Sequence, residues 1–508
     1  MNQTLASPRK SLSVFDTVAI IVGIVIGAGI FGLPPLVAMN LKGGVDVGLG
    51  VWPLVIDGNT AYILVWIFGG LIAFIGAMCY AELSTAYPDT GGEYHFLHRA
   101  YGSPLGFLYG WARMTVIQTG SIAAVAFVVG HYCTQLLPAY LRQGAFGDYF
   151  PAVVALGVVV LLTALNLAGL VLGKWVQNLL ALGILAGLTT VIVSGFSASG
   201  AGQTAAPTTA PAIGGLGALG MAMIFVMFTY GGWNEAAYVS AEVRQRRGIL
   251  WALVLGIGIV TVIYVLVAIA MVRSLGVSGV SGNWAVGADL LRSTMGDRAA
   301  MVVSLIVILA GLGTANATII TGARTNYSLG RDFALFRWLG EWRQHTNVPA
   351  RGLLLQGAIA AALVLSGVGL QVLHGYYQGR ELDPGSAWGR LISESGSARG
   401  GLEMMVAYTA PVFWLFFGLA GLSVIVLRLR DDGTERPFRV PLYPATPILF
   451  CIVCGYMCYS AIAYAGPGAW LGMIVVLAGV PLVLLSLLTR TVGPPGGFPL
   501  DHGGGPNP

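Results

Sequence analysis

About twelve times along this chain an apolar run of some 20 residues recurs, long enough to cross the hydrocarbon core of a bilayer. The runs centre on residues 15 to 39, 62 to 86, 104 to 137, 151 to 170, 174 to 196, 214 to 240, 248 to 273, 299 to 328, 352 to 374, 402 to 427, 443 to 464 and 468 to 489. In lipid every backbone N–H and C=O must be satisfied within the protein, so runs of this kind fold as helices. Charged residues are only 9% of the chain, against roughly 25% in a soluble domain. The expectation is an all-α integral membrane protein of about twelve transmembrane helices. Its 73 glycines suit helices packed closely through small side chains.

An even number of spans puts both ends on one side, and the basic residues say which. With the loops after spans 2, 4, 6, 8 and 10 on the side of the termini, that side holds 17 Lys/Arg, the other holds 8, and Arg113 lies within a span. The termini are therefore expected in the cytoplasm. Topology accounts for the net charge of +5, which gives no reason to propose nucleic acid as a partner. Residues 1–14 are polar, and the apolar run after them is too long for a cleaved signal peptide. The tail 491–508, rich in Gly and Pro, is expected to be disordered.

Two of the runs are broken by glycine, at Ile26-Gly27-Ala28-Gly29-Ile30 in the first and at Tyr230-Gly231-Gly232-Trp233 in the sixth. Broken helix at membrane depth is tolerated only where it is buried or lines a cavity, and paired interruptions in two halves mark a transporter's midplane site. Because the sixth span follows an odd number of crossings, the second half starts on the opposite side. The reading is a 5+5 inverted repeat, 15–196 and 214–427, with two appended helices in 443–489, all within one transporter domain at 15–490. At each break a half-helix N-terminus offers N–H groups to a carboxylate and an opposed C-terminus offers carbonyls to an ammonium. Together they suit a zwitterion.

The ordered motifs resemble one family. Val22-Gly23-Ile24-Val25-Ile26-Gly27-Ala28-Gly29-Ile30-Phe31-Gly32-Leu33-Pro34 is followed by Tyr80-Ala81-Glu82 and Pro88-Asp89-Thr90-Gly91-Gly92-Glu93-Tyr94. Then come Tyr109-Gly110-Trp111, Trp233-Asn234, Glu242-Val243, Asn316, Arg324, Arg331-Asp332 and Arg436-Pro437-Phe438-Arg439-Val440-Pro441-Leu442-Tyr443-Pro444. Over residues 15 to about 490 the chain resembles the amino acid/polyamine/organocation superfamily, particularly its bacterial and L-type amino acid permeases. The resemblance implies alternating access around a site between helices 1 and 6, walled by helices 3, 8 and 10. It puts the substrate carboxylate at the backbone of Gly27, Ala28 and Gly29, beside Ile30. The amino group falls to carbonyls near Ile26 and Phe228, Thr229 and Tyr230, with Tyr230, Gly231 and Trp233 bounding the side-chain pocket and Trp233 as an aromatic gate.

Two departures from the family qualify this. Ala28 stands where members often have a hydroxyl, so one carboxylate hydrogen bond is expected to be missing. The stretch Leu180 to Gly187 is wholly apolar where several members carry a lysine midway along helix 5, and Lys174 is too early, which removes support for that route of proton coupling. Two ionisable residues inside spans, Glu235 and Arg113, are coupling or gating candidates together with Asn234. Against that, Arg113 snorkels to the interface or simply pairs with Glu235. Glu82, Glu242 and Arg324 are read as helix-end gating or packing contacts. Tyr80, Tyr109, Trp111, Phe413, Trp414, Phe416 and Phe417 are read as lipid-facing, interfacial or packing residues.

The function expected is secondary transport of amino acids, neutral apolar or aromatic ones, by proton symport or exchange, in a multi-pass cell-membrane protein whose partners are substrate, lipid and, in symport, protons. A cationic amino acid or polyamine carrier recruited by Glu235 is the alternative, and a channel the remote one. Neither cofactor nor metal is called for. Cys451, Cys454 and Cys458 sit at helical spacing without a nearby histidine, the six histidines form no ligand pair within a span, and no phosphate-binding Gly-x-x-x-x-Gly-Lys-Ser/Thr pattern occurs.

Overall fold

The computed structural model describes residues 13–48, 54–89, 91–142, 144–169, 174–198, 215–245, 247–282, 284–343, 345–346, 348–377, 400–464 and 467–488. Expectations for the N-terminal segment before Ser13 and for the tail 491–508 lie outside these residues, as does the side chain of Lys174. Among the described residues, 11 helical stretches are long and apolar enough to cross a membrane. They are Val14–Gly32, Gly58–Ala86, Ser103–Gln135, Phe146–Leu167, Leu216–Tyr238, Gly248–Ser281, Asp297–Asp332, Ala350–Gly369, Gly401–Arg430, Ala445–Tyr464 and Gly468–Ser486. The helix Lys174–Ser197 supplies the fifth crossing, with Leu182–Ser197 as its described apolar part. In chain order these are spans 1 to 12.

Local chemistry starts the helices where the sequence changes character. Ser13 accepts the Asp16 N–H at 3.2 Å while the Asp16 carboxylate accepts the Ser13 N–H at 3.0 Å, a reciprocal cap that opens span 1. Asp57 accepts the N–H groups of Asn59 and Thr60 at 3.0 and 3.1 Å and opens span 2. Spans 7 and 8, at 34 and 36 residues, are longer than a bilayer requires and run beyond it. Span 7 bends at Gly276, where φ is 65°. A two-residue antiparallel pairing, Val45–Asp46 with Val55–Ile56, joins spans 1 and 2.

Burial orders the spans from centre to edge. In the most apolar window of span 3, 83% of residues are buried, against 33% in span 11 and 28% in span 12. Span 3 is thus the most enclosed of these helices, and the last two are the most exposed. Outer faces carry large apolar side chains such as Phe68, Leu71, Leu182, Val262 and Ile452, as a lipid-facing surface requires. Inside, backbones nearly touch: a Cβ on Gly130 of span 3 would lie 2.2 Å from the Pro151 carbonyl oxygen of span 4. We call the face on which span 1 begins the N face; the turns following spans 2 and 10 meet there, where Glu82 is clamped by Arg428.

Candidate substrate site

Span 1 stops being an α-helix at the glycine cluster. Its last regular bond runs from the Ile26 N–H to the Val22 carbonyl at 2.8 Å, and Ile26 then turns to φ −76°, ψ 79°. Gly27 closes a tight turn onto the Val25 carbonyl at 2.8 Å, and helix resumes at Gly29–Gly32. Across the gap the N–H groups of Ala28, Gly29 and Ile30 donate to no backbone carbonyl among the described residues, and the carbonyls of Ile26 and Gly27 accept from none. Ile26, Ala28 and Ile30 are all buried. Buried backbone groups without partners are rare in folded proteins and call for a ligand or ordered water.

Span 6 breaks beside it. Helix Leu216–Thr229 ends with Tyr230 and Gly231 bonded back to Val226 and Phe228 at 2.9 and 3.2 Å. Gly232 then takes φ 107°, a left-handed conformation costly for any residue with a Cβ. The chain continues as a 3-10 helix, Trp233–Glu242, instead of the α-helix expected. The breaks touch: a Cβ on Gly29 would meet the Thr229 Cα at 3.5 Å, and one on Gly232 would meet the Ile24 side chain at 2.9 Å. Tyr264 of span 7 ties them together, its hydroxyl lying 2.8 Å from the Val25 carbonyl and 3.4 Å from that of Thr229. From span 8, the Thr314 hydroxyl lies 2.8 Å from where a Gly27 Cβ would be, placing a hydroxyl beside the break whose own residue is Ala28.

The expected pocket aromatics are engaged differently from one another. Tyr230 donates its hydroxyl to the Trp66 carbonyl at 2.9 Å and packs its ring on Trp66 and Tyr264, so at the break it presents backbone. Trp233 lies edge-on to Tyr80 and Phe417, with ring centroids 5.0 and 5.5 Å apart, and forms with them an aromatic layer on the N-face side of the breaks. Tyr80, Tyr109, Trp414, Phe416 and Phe417 are buried. The lipid-facing option for these five is therefore corrected to packing.

Beneath the aromatic layer is a charged one. Arg113 of span 3 opens a π-helical turn, Arg113–Ile117, and donates to Glu235 at 3.0 Å, so the two intramembrane charges meet. Snorkelling is excluded, because the Arg113 side chain is only 2% exposed. The same guanidinium lies 3.5 Å from Glu93 and donates to the hydroxyls of Tyr238 and Tyr109 at 2.5 and 3.2 Å, with its carbon 4.6 Å over the Tyr238 ring. Glu93 accepts from Tyr80 at 2.6 Å, from Asn234 at 3.2 Å, from Tyr238 at 3.3 Å and from Tyr109. Burial pushes the Glu93 carboxyl above the usual carboxylate range, against the opposing pull of Arg113 and the phenol hydrogen bonds.

Glu93 is the residue that the motif reading quoted without assigning a role. It is carried inward by Gly92, whose φ of 50° turns the chain where a Cβ would strike the Tyr238 ring at 2.7 Å. Glu82 has a packing role: Arg428 grips both its oxygens at 2.7 and 2.5 Å, and the Val440 N–H donates at 2.7 Å. Arg324 is exposed, and the side chain of Glu242 lies outside the described residues. Cys451 and Cys458 donate to the carbonyls of Gly418 and Pro411 at 3.4 and 3.5 Å, ordinary packing contacts.

Comparison with known proteins adds the family. Residues 12–487 match the model of the amino acid permease family. The b(0,+)-type amino acid transporter 1 of Mus musculus is 28% identical over 458 residues, covering 88% of this chain and 81% of that protein. The Asc-type amino acid transporter 1 of Mus musculus is 24% identical over 496 residues, covering 95% and 82%. An uncharacterised transporter of Mycobacterium bovis is 28% identical over 487 residues, covering 95% and 94%.

Proposed function

The chain belongs to the amino acid permease family, and on that premise we propose that it carries neutral apolar or aromatic amino acids by alternating access around the paired helix breaks. The substrate carboxylate is held by the N–H groups of Ala28, Gly29 and Ile30, and the ammonium group by carbonyls of Ile26, Gly27 and Tyr230. The observation that carries this reading is the set of buried backbone groups that, among the described residues, have no backbone partner at the span 1 break, against which the span 6 break is packed. A zwitterion satisfies both signs at once, whereas an anion or a cation alone satisfies one.

Neutrality of the side chain follows from the surroundings. The break residues themselves carry no acidic side chain, and the carboxylate nearest in sequence, Glu235, is already paired with Arg113 at 3.0 Å. A cationic substrate would have to displace that guanidinium. Thr314 supplies the hydroxyl that Ala28 lacks.

The remaining features belong to the same proposal. The N face is cytoplasmic, because the basic residues concentrate there. Spans 1 to 5 and 6 to 10 form the inverted repeat, with spans 11 and 12 outside it. Coupling is by proton symport, in which Glu235 is the proton carrier, or by exchange. Counterflow separates the two: in symport, Glu235→Gln abolishes proton-driven accumulation and spares exchange.

Thermal-shift screening of the purified protein against the amino acids and common polyamines, followed by uptake into proteoliposomes, tests the reading. Stabilisation and saturable uptake of neutral apolar or aromatic amino acids are expected. Binding confined to cationic amino acids or polyamines overturns it.

A further inference from the structure

We propose that Glu93 and Arg113 are positioning residues for transport: they form a fixed dock to which the segment Trp233–Glu242 is latched while the N face is closed, and Glu235 is the member of the triad that leaves on opening. The inference rests on the alternating-access reading above and names the device that controls one side of it.

The segment has both a hinge and a lock. Its hinge is Gly231-Gly232, where the left-handed Gly232 at φ 107° interrupts helical continuity with the rest of span 6. Its lock is one patch. Among the described residues, every hydrogen bond that links a side chain of this segment to another element goes to Asp89, Glu93, Tyr109 or Arg113. Asn234 and Tyr238 reach Glu93 at 3.2 and 3.3 Å, and Arg113 reaches Tyr238 and Glu235 at 2.5 and 3.0 Å. Tyr238 also meets Tyr109 at 3.2 Å, and Ser240 donates to the Asp89 carbonyl at 3.3 Å. Releasing that patch releases every side-chain hydrogen bond that ties the segment's described residues to another element.

Charge makes this arrangement a latch and not a rivet. A guanidinium buried with one carboxylate is left uncompensated when that carboxylate departs, which is strongly unfavourable in a low-dielectric interior. Arg113 has two. Glu93 sits on the short helix Glu93–Tyr101 outside the moving segment and keeps the hydroxyls of Tyr80 and Tyr109 as donors after Asn234 and Tyr238 have gone. Arg113 therefore stays paired in either position of the segment. The side-chain exposures divide the same way, 2% for Arg113 and 4% for Glu93 against 22% for Glu235, so the departing carboxylate is the one already nearest to water. The Arg113 Nε has no acceptor among the described residues, so even the closed network is not fully satisfied there.

Ala236, buried in the segment, reports its position. In full-length protein with the native cysteines replaced, shown to retain uptake and reconstituted in proteoliposomes, Ala236→Cys is labelled by a membrane-impermeant thiol reagent applied to the N face. Glu93→Gln and Arg113→Gln are expected to raise the labelling rate about tenfold, the scale of one hydrogen bond to a charged group. Arg113→Lys should return it towards the unsubstituted level, which a general loss of packing would not allow. Tyr238→Phe, which removes a hydroxyl and keeps the ring, should raise it severalfold and serves if the charge variants fail to assemble. Unchanged labelling in assembled Glu93→Gln and Arg113→Gln, or in Tyr238→Phe where those do not assemble, overturns the latch. The readout needs no substrate, so a protein that labels as expected but takes up no amino acid would refute the transport reading alone.

Discussion

Among the described residues the Tyr264 hydroxyl is the one side-chain group that reaches the backbone of both broken helices, and Tyr264→Phe removes it while keeping the ring. The aromatic contacts with Trp66 and Tyr230, at 5.9 and 5.0 Å between centroids, are retained. One proton cannot serve two carbonyls fully, so the 2.8 Å contact to Val25 is the bond and the 3.4 Å contact to Thr229 a weak share of it. The Val25 carbonyl keeps the Gly27 N–H at 2.8 Å, whereas Thr229 loses its only side-chain donor among the described residues. The loss is thus about one buried hydrogen bond, about 1–2 kcal/mol. Because the contact holds the two breaks in the arrangement that binds, its loss lowers the population of that arrangement, and about 1.4 kcal/mol of such a shift corresponds to tenfold in apparent affinity. Kd for a radiolabelled neutral amino acid, measured on purified protein whose melting shows normal assembly, should rise about tenfold. Tyr62→Phe is the control, since that hydroxyl lies 4.0 Å from the Met271 sulfur and makes no hydrogen bond to either break among the described residues. A Tyr264→Phe Kd within twofold of the parent protein would refute the reasoning.

Gly232→Ala forces a Cβ onto a backbone at φ 107° and against Ile24 at 2.9 Å, so it should lower stability by about 1–3 kcal/mol and depress uptake; unchanged melting would contradict the strain argument. Gly29→Val should assemble, because its Cβ meets Thr229 at an ordinary 3.5 Å, yet neither bind nor transport, because the branched side chain fills the cradle; near-normal uptake would remove the cradle. Glu82→Gln leaves Arg428 without its buried partner and should cost about 3–5 kcal/mol of stability, seen as a lower melting temperature and yield, while the protein that does assemble keeps its substrate preference. A changed preference would move Glu82 from packing to the site.

What the sequence made legible was whatever violated a membrane rule. Glycine clusters stand out in an apolar run because lipid penalises loose backbone, and both breaks fall where Gly27 and Gly232 put them. Arg113 and Glu235 stand out because charge is scarce there, and scarcity also suggested that they pair. Glu93 was hidden for the opposite reason: it follows Gly91-Gly92 in a stretch that reads as an aqueous turn, and only the fold of that turn carries it under the bundle. Tyr264 was hidden because an aromatic residue in an apolar span breaks no rule; its meaning is a distance to two carbonyls on other helices. The same held for Tyr80 and Tyr109, whose hydroxyls gain their role from Glu93. The 3-10 course of Trp233–Glu242 was not legible either, since hydropathy does not distinguish it from an α-helix.

A structure of the protein with a bound neutral amino acid would test the central claim most directly. The account predicts the carboxylate within about 3 Å of the backbone nitrogens of Ala28, Gly29 and Ile30, the ammonium group on carbonyls of Ile26, Gly27 and Tyr230, and the Glu235–Arg113 pair clear of the ligand. A carboxylate held instead by Arg113, or a ligand seated away from both breaks, would contradict it.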